Sequence, residues 1–160
     1  MPARLAAFLT LLLAAVLALP AAAQELPPAP DGPVYDGANM IDDAAEAQLD
    51  RQLRAYNKET GRAVIVATVP SLDGETVETY AVELYEAWGI GGEETDEGAL
   101  LLVAQEERKI RIEVGYGSTP TLTDAMSGRI IRDTITPAFK KGDFTGGIVA
   151  GVARMIEALD

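Results

Sequence analysis

Neither cysteine nor histidine occurs anywhere in the chain. Without cysteine the fold cannot be stapled by disulfides, nor can it mispair where disulfides form. Without histidine it lacks the usual near-neutral general base, the commonest zinc ligand and the middle member of a Ser-His-Asp relay. Basic residues are scarce too: 13 Lys and Arg stand against 25 Asp and Glu, a net charge of −12. Such a surface repels phosphate backbones, which argues against nucleic acid as a partner. Chemistry is left to carboxylates, hydroxyls, Lys and Arg, and a bound metal.

Acidic residues are absent from the first 23 positions, where Arg4 is the only charge. An apolar run from Leu5 to Leu19 ends at Pro20, and Ala21-Ala22-Ala23 supplies small residues for a signal peptidase. The run falls short of the roughly 20 apolar residues a membrane span needs. The expectation is a signal peptide over 1–23, cleaved to release a soluble domain into the periplasm or the medium with no transmembrane anchor. Residues 24–33 follow, with Pro27, Pro28, Pro30 and Pro33, and read as a stiff, extended leader. No repeat or low-complexity tract appears from Val34 onward, so 34–160 reads as one domain.

Apolar spacing predicts the elements. A helix begins near Asp42 or Asp43, with Asp43 and Glu46 at capping-box spacing, and runs through Leu49, Leu53 and Tyr56 to Gly61. Ala63 to Val69 is a buried strand closed by Pro70. A second helix carries Val77, Tyr80, Ala81, Leu84 and Trp88 on one stripe. Ala99 to Ala104 and the alternating Lys109 to Val114 form a hairpin. A helix from Thr123 or Asp124 is interrupted at Pro137, and a last helix, capped by Gly142-Asp143, buries Ile148, Val152, Ile156 and Leu159. Gly147 and Gly151 suit close packing of that helix on the sheet. The order α-β-α-β-β-α-α implies an α/β fold, a three-layer α/β/α sandwich on a small mixed sheet.

The hairpin has a consequence for chemistry. Its two strands are antiparallel, so the loop before the first and the loop after the second meet at one end of the sheet. Those loops carry Asp96 and Asp124, with glycines around them. Long Gly- and Asp-bearing loops are where function usually sits. Two carboxylates with turn carbonyls nearby can form an oxygen site for Ca²⁺ or Mg²⁺; the same residues also serve as a turn residue and a helix cap. Arg111 and Glu113 share a strand face and can pair in solvent. Arg129, Arg132, Lys140 and Lys141 form the local basic cluster, readable as an anion holder or as a helix's wet face. Gly115-Tyr116-Gly117 lacks the spacing of a phosphate loop.

Six blocks then fall in register: Val34-Tyr35-Asp36-Gly37-Ala38, Trp88-Gly89-Ile90-Gly91, Thr95 to Val103, Arg111 to Gly117, Leu122-Thr123-Asp124-Ala125 and Pro137 to Phe144. Together they resemble the TPM-domain family, which includes thylakoid-lumen acid-phosphatase-like and bacterial envelope proteins. The resemblance implies an α/β/α sandwich, divalent-cation binding, weak phosphomonoesterase activity, or a non-enzymatic role in envelope or membrane-protein assembly and repair. Carried over by motif, Asp36 joins Asp96 and Asp124 as a metal candidate, with Arg111, Glu113 and Arg129 in support. Two positions depart from the family's habit. Glu97 stands where Asn is common, and Ser118-Thr119 replaces Leu-Glu, so the acidic set shifts.

Overall fold

The computed structural model describes residues 25–160; the signal peptide expected over 1–23 lies outside them. Four strands, β1 (Val34–Asp36), β2 (Ala63–Val69), β3 (Gly98–Ala104) and β4 (Lys109–Val114), pair in the order β1-β2-β3-β4. β1, β2 and β3 are parallel, and β4 returns antiparallel to β3. The helices are α1 (Asp43–Thr60), α2 (Val77–Ala87), α3 (Asp124–Ile130), α4 (Thr136–Lys140) and α5 (Phe144–Leu159), with a π-helical turn at Ile131–Ile135 between α3 and α4. This is the mixed-sheet α/β/α sandwich expected, with one further strand at its edge.

β3 organises the core. All seven of its residues are buried, and the pleat sends alternate side chains to opposite faces. Ala99, Leu101 and Val103 join Leu49, Leu53, Ile135, Ile148 and Val152 under α1 and α5. Leu100, Leu102 and Ala104 join Val77, Tyr80, Ala81 and Leu84 under α2. Among the described residues no helix is long and apolar enough to cross a membrane.

Several local expectations are corrected. β1 is only three residues long, too short for a periodic signal, and is fixed by its neighbours: Val34 pairs with Val66, and the Val66 N–H donates to the Pro33 carbonyl at 2.8 Å. The Pro-rich leader lies against the domain. Leu26 packs on the α2 side of the core, and the Trp88 indole donates to the Pro27 carbonyl at 2.9 Å. The capping box at α1 does not form; Asp42 is the N-cap residue and its side chain makes no capping bond.

Pro137 acts one turn earlier than its position suggests. Lacking an N–H, it cannot continue the α-helical ladder, and the backbone widens before it, so that the Thr136 N–H reaches the Ile131 carbonyl. Gly147 and Gly151 make room first for the π-helical turn and α4, and Gly151 also faces Leu101 of β3. A Cβ on Gly151 would stand 2.6 Å from Ile135 Cδ1, and one on Gly147 would stand 2.7 Å from Phe139 Cδ1.

Candidate functional site

The Asp96 loop and the loop after β4 do meet, at the amino ends of β2 and β3. The Gly115 N–H donates to the Gly98 carbonyl at 2.9 Å and the Gly117 N–H to the Asp96 carbonyl at 3.1 Å. Asp96 adopts a left-handed conformation with φ 49°, which short polar residues such as Asp tolerate best after glycine. Both of its carboxylate oxygens are oriented. The Tyr85 hydroxyl donates to Oδ1 at 2.9 Å, and the Tyr116 N–H donates to Oδ2 at 2.8 Å.

The surrounding glycines are dictated by this closeness. A Cβ on Gly115 would collide with the Asp96 carbonyl and the Tyr85 hydroxyl, and one on Gly117 with the Thr95 carbonyl. Tyr85 itself is 9% exposed. Burial pushes its phenol up from the ordinary tyrosine range, and the bond to the Asp96 carboxylate and the Glu113 charge push the same way.

The remaining candidates divide by place. Asp124 opens α3, but it is not the cap: the Thr123 hydroxyl accepts the Met126 N–H at 3.2 Å. The Asp124 carboxylate is exposed and has no hydrogen-bond or ion-pair partner among the described residues. Glu97 lies against Gly117 and gives its main-chain carbonyl to the Ala63 N–H at 3.0 Å. Arg111 and Glu113 pair with each other at 3.2 Å on the α2 side of β4, half-sheltered rather than fully solvated. Arg129 stays exposed on α3.

Asp36 is not brought to this site. It ends β1 and pairs with Thr68, whereas the Asp96 loop enters β3 beside Ala63. The Thr68 and Ala63 rungs stand roughly 16 Å apart at the usual strand rise. The Asp36 carboxylate is occupied there: it accepts the Met40 and Ile41 N–H groups at 2.9 Å each and the buried Thr68 hydroxyl at 2.5 Å. Among the described residues no three acidic groups converge as a metal cluster.

Sequence reasoning missed Tyr85 and two serines. Tyr85 follows Leu84 at the edge of the α2 stripe, and a tyrosine there needs a partner for its hydroxyl. Ser118, in the loop after β4, and Ser127, on α3, are buried, and the hydroxyl oxygen of each lacks a hydrogen-bond partner among the described residues. Nothing in their sequence neighbourhood announced that.

A small parallel sheet with one antiparallel edge strand, helices on both faces and a carboxylate-centred loop junction defines the class. The TPM-domain model matches residues 34–158, and the chain belongs to the TPM-domain family. Solved structures agree in fold. The N-terminal domain of a protein from P. gingivalis is 32% identical, with TM-score 0.74 over 79% of this chain and 81% of that one. The BA42 protein from Bizionia argentinensis is 22% identical, with TM-score 0.63 over 74% and 81%. The N-terminal domain of the cg2496 protein from Corynebacterium glutamicum is 19% identical, with TM-score 0.62 over 86% of both chains. Among curated proteins none matches the chain.

Proposed function

We propose that this domain works outside the cytoplasm as a divalent-cation-binding module, with Ca²⁺ preferred over Mg²⁺, at the junction of the Asp96 and Asp124 loops. The observation that carries the reading is the Asp96 carboxylate, held at both oxygens by Tyr85 and Tyr116 and enclosed by glycines that leave no room for side chains. Each oxygen accepts one hydrogen bond and keeps a lone pair, so it is aimed rather than exhausted.

The donor set fits such an ion in kind. Asp96 would supply a carboxylate, and the Thr95 carbonyl lies against Gly117. Glu97 and the exposed Asp124 would have to swing in to complete the set, since no three acids converge there among the described residues. Buried hydroxyls without a partner mark places where water or an ion completes the bonding, and Ser118 and Ser127 lie on the same loop and on α3. An irregular set of carboxylate, carbonyl and water oxygens suits Ca²⁺ better than Mg²⁺, which demands near-ideal octahedral geometry.

Bound there, the cation would neutralise the loop acids and supply Lewis acidity toward a phosphoryl oxygen. The chain's own contribution is to hold Asp96 and to keep the Gly115-to-Leu122 loop coiled through the Ser118 and Leu122 N–H groups, which donate to the Gly115 and Ser118 carbonyls. We place cation binding ahead of phosphomonoester hydrolysis, because a net charge of −12 repels anionic substrates.

Calorimetric titration of residues 25–160 with Ca²⁺ and with Mg²⁺ tests the reading. Heat that saturates in the parent and is lost in Asp124→Ala supports it; no heat in the parent, or binding unchanged in Asp124→Ala, refutes it. A phosphatase assay with and without chelator then separates an enzyme from a binding module.

A further inference from the structure

We propose that the opposite end of the sheet carries a second, independent binding site, a groove for an acidic peptide segment with apolar anchor residues. The groove, of about 700 Å³, opens at the carboxyl ends of β3 and the β1-to-α1 loop, the end at which open parallel sheets bind their ligands. Its apolar wall is made by Met40, Ile110, Phe139 and Phe144. The Phe139 and Phe144 rings meet edge to face at 5.2 Å, yet Phe144 remains 39% exposed, one of few large apolar side chains so placed among the described residues.

The charge of this groove opposes that of the whole molecule. Arg108 and Lys109 line it from the hairpin, Lys140 lines it from α4, and none of the described residues that line it is acidic. Arg54, Arg62, Arg111, Arg132 and Arg154 are ion-paired elsewhere, whereas these three cations have no such partner among the described residues. Of the nearby acids, Glu106 is exposed in the hairpin turn without a side-chain partner among the described residues, and three others are engaged in bonds of their own. Asp143 caps α5 through the Gly146 N–H, Glu107 accepts the Ser71 hydroxyl and the Leu72 N–H, and Asp36 closes its own loop. Cations that line a groove without an ion-pair partner select an anionic partner by complementarity.

Two features favour a peptide over a detached amphiphile. The cations stand on both banks, one set on the hairpin and one on α4, so a single headgroup would engage only one side. Moreover, β4 is an edge strand, and Lys109 and Ile110 lie both on that edge and in the groove. An extended segment with alternating acidic and apolar residues can follow such an edge, its alternate side chains meeting the cations and the aromatic wall. This site does not rest on cation binding at the other end.

The test uses residues 25–160 and a short fluorescein-labelled peptide in which glutamate alternates with leucine and phenylalanine, followed by anisotropy. The parent binds, and Lys140→Glu weakens binding roughly tenfold or more, since a like charge replaces a complementary one. Lys58→Glu on α1, which carries the same net charge, leaves binding unchanged. Phe144→Ala, which keeps all charges, also weakens it. No binding by the parent overturns the proposal, as do Lys140→Glu and Phe144→Ala variants that bind like the parent. Equal binding of a peptide with lysine in place of glutamate overturns it, and decanoate that binds more tightly than the peptide assigns the groove to an amphiphile instead.

Discussion

The Tyr85 hydroxyl donates to Asp96 Oδ1 at 2.9 Å, tying α2 to the loop that enters β3. That single bond links a buried helix face to the carboxylate on which the candidate site is centred. Tyr85→Phe removes it without opening a cavity. The expected cost is about 1 kcal/mol of stability, the usual net value of such a bond. Urea denaturation of the two proteins measures it, and cation affinity falls in the same variant because Asp96 is no longer held.

Alkaline titration follows from the same contact. The Tyr85 phenol is raised in the folded state, by burial first and then by its bond to Asp96. A folded state that holds its proton more tightly than the unfolded chain gains stability below the unfolded tyrosine pKa, and loses it as pH rises through the folded value. Denaturation midpoints should therefore fall above about pH 10, where free tyrosine ionises, and Tyr85→Phe should flatten that fall.

Two glycines predict opposite outcomes. Gly115→Ala sets a methyl against the Asp96 carbonyl and the Tyr85 hydroxyl, and should destabilise by about 2–3 kcal/mol, in the range of overpacking. Gly128→Ala, in α3 with nothing within 4 Å of the added carbon, should stabilise by about 0.5–1 kcal/mol through helix propensity. Thermal melts of both variants check the signs.

Asp36 and Asp124 separate structure from binding. Asp36→Ala strips the Met40 and Ile41 N–H groups and the buried Thr68 hydroxyl of their acceptor. It should cost about 2–3 kcal/mol, as leaving buried donors unpaired does, with cation affinity unchanged in the folded fraction. Asp124→Ala, exposed and unpartnered, should do the reverse. Denaturation and titration of each variant decide this.

The strands with a periodic signal were legible because their apolar pattern is unambiguous: Ala63 to Val69 and Lys109 to Val114 lie where spacing put them, and β3 begins one residue earlier. β1 was not, since three residues carry no period and its place is set by pairing with Val66 to Thr68. The meeting of the Asp96 loop with the Gly115-to-Gly117 turn after β4 followed from hairpin geometry alone. The role of Asp36 did not follow, because the Val34-to-Ala38 block signals family membership without saying which end of the sheet it occupies. Tyr85 and the buried serines escaped because their partners, or lack of them, come from tertiary packing. Sequence proximity groups Lys140 with Arg129, Arg132 and Lys141, yet Lys140 lies in the groove at the far end with Arg108 and Lys109, a grouping made by the hairpin turn.

Amide chemical-shift mapping during Ca²⁺ titration of residues 25–160 tests the central claim most directly. The account predicts saturable shifts at Asp96, Tyr116, Gly117 and Asp124, with Asp36, Met40 and Ile41 unmoved. Shifts centred on the Asp36 loop, or none at Asp96 and Asp124 at millimolar Ca²⁺, would contradict it.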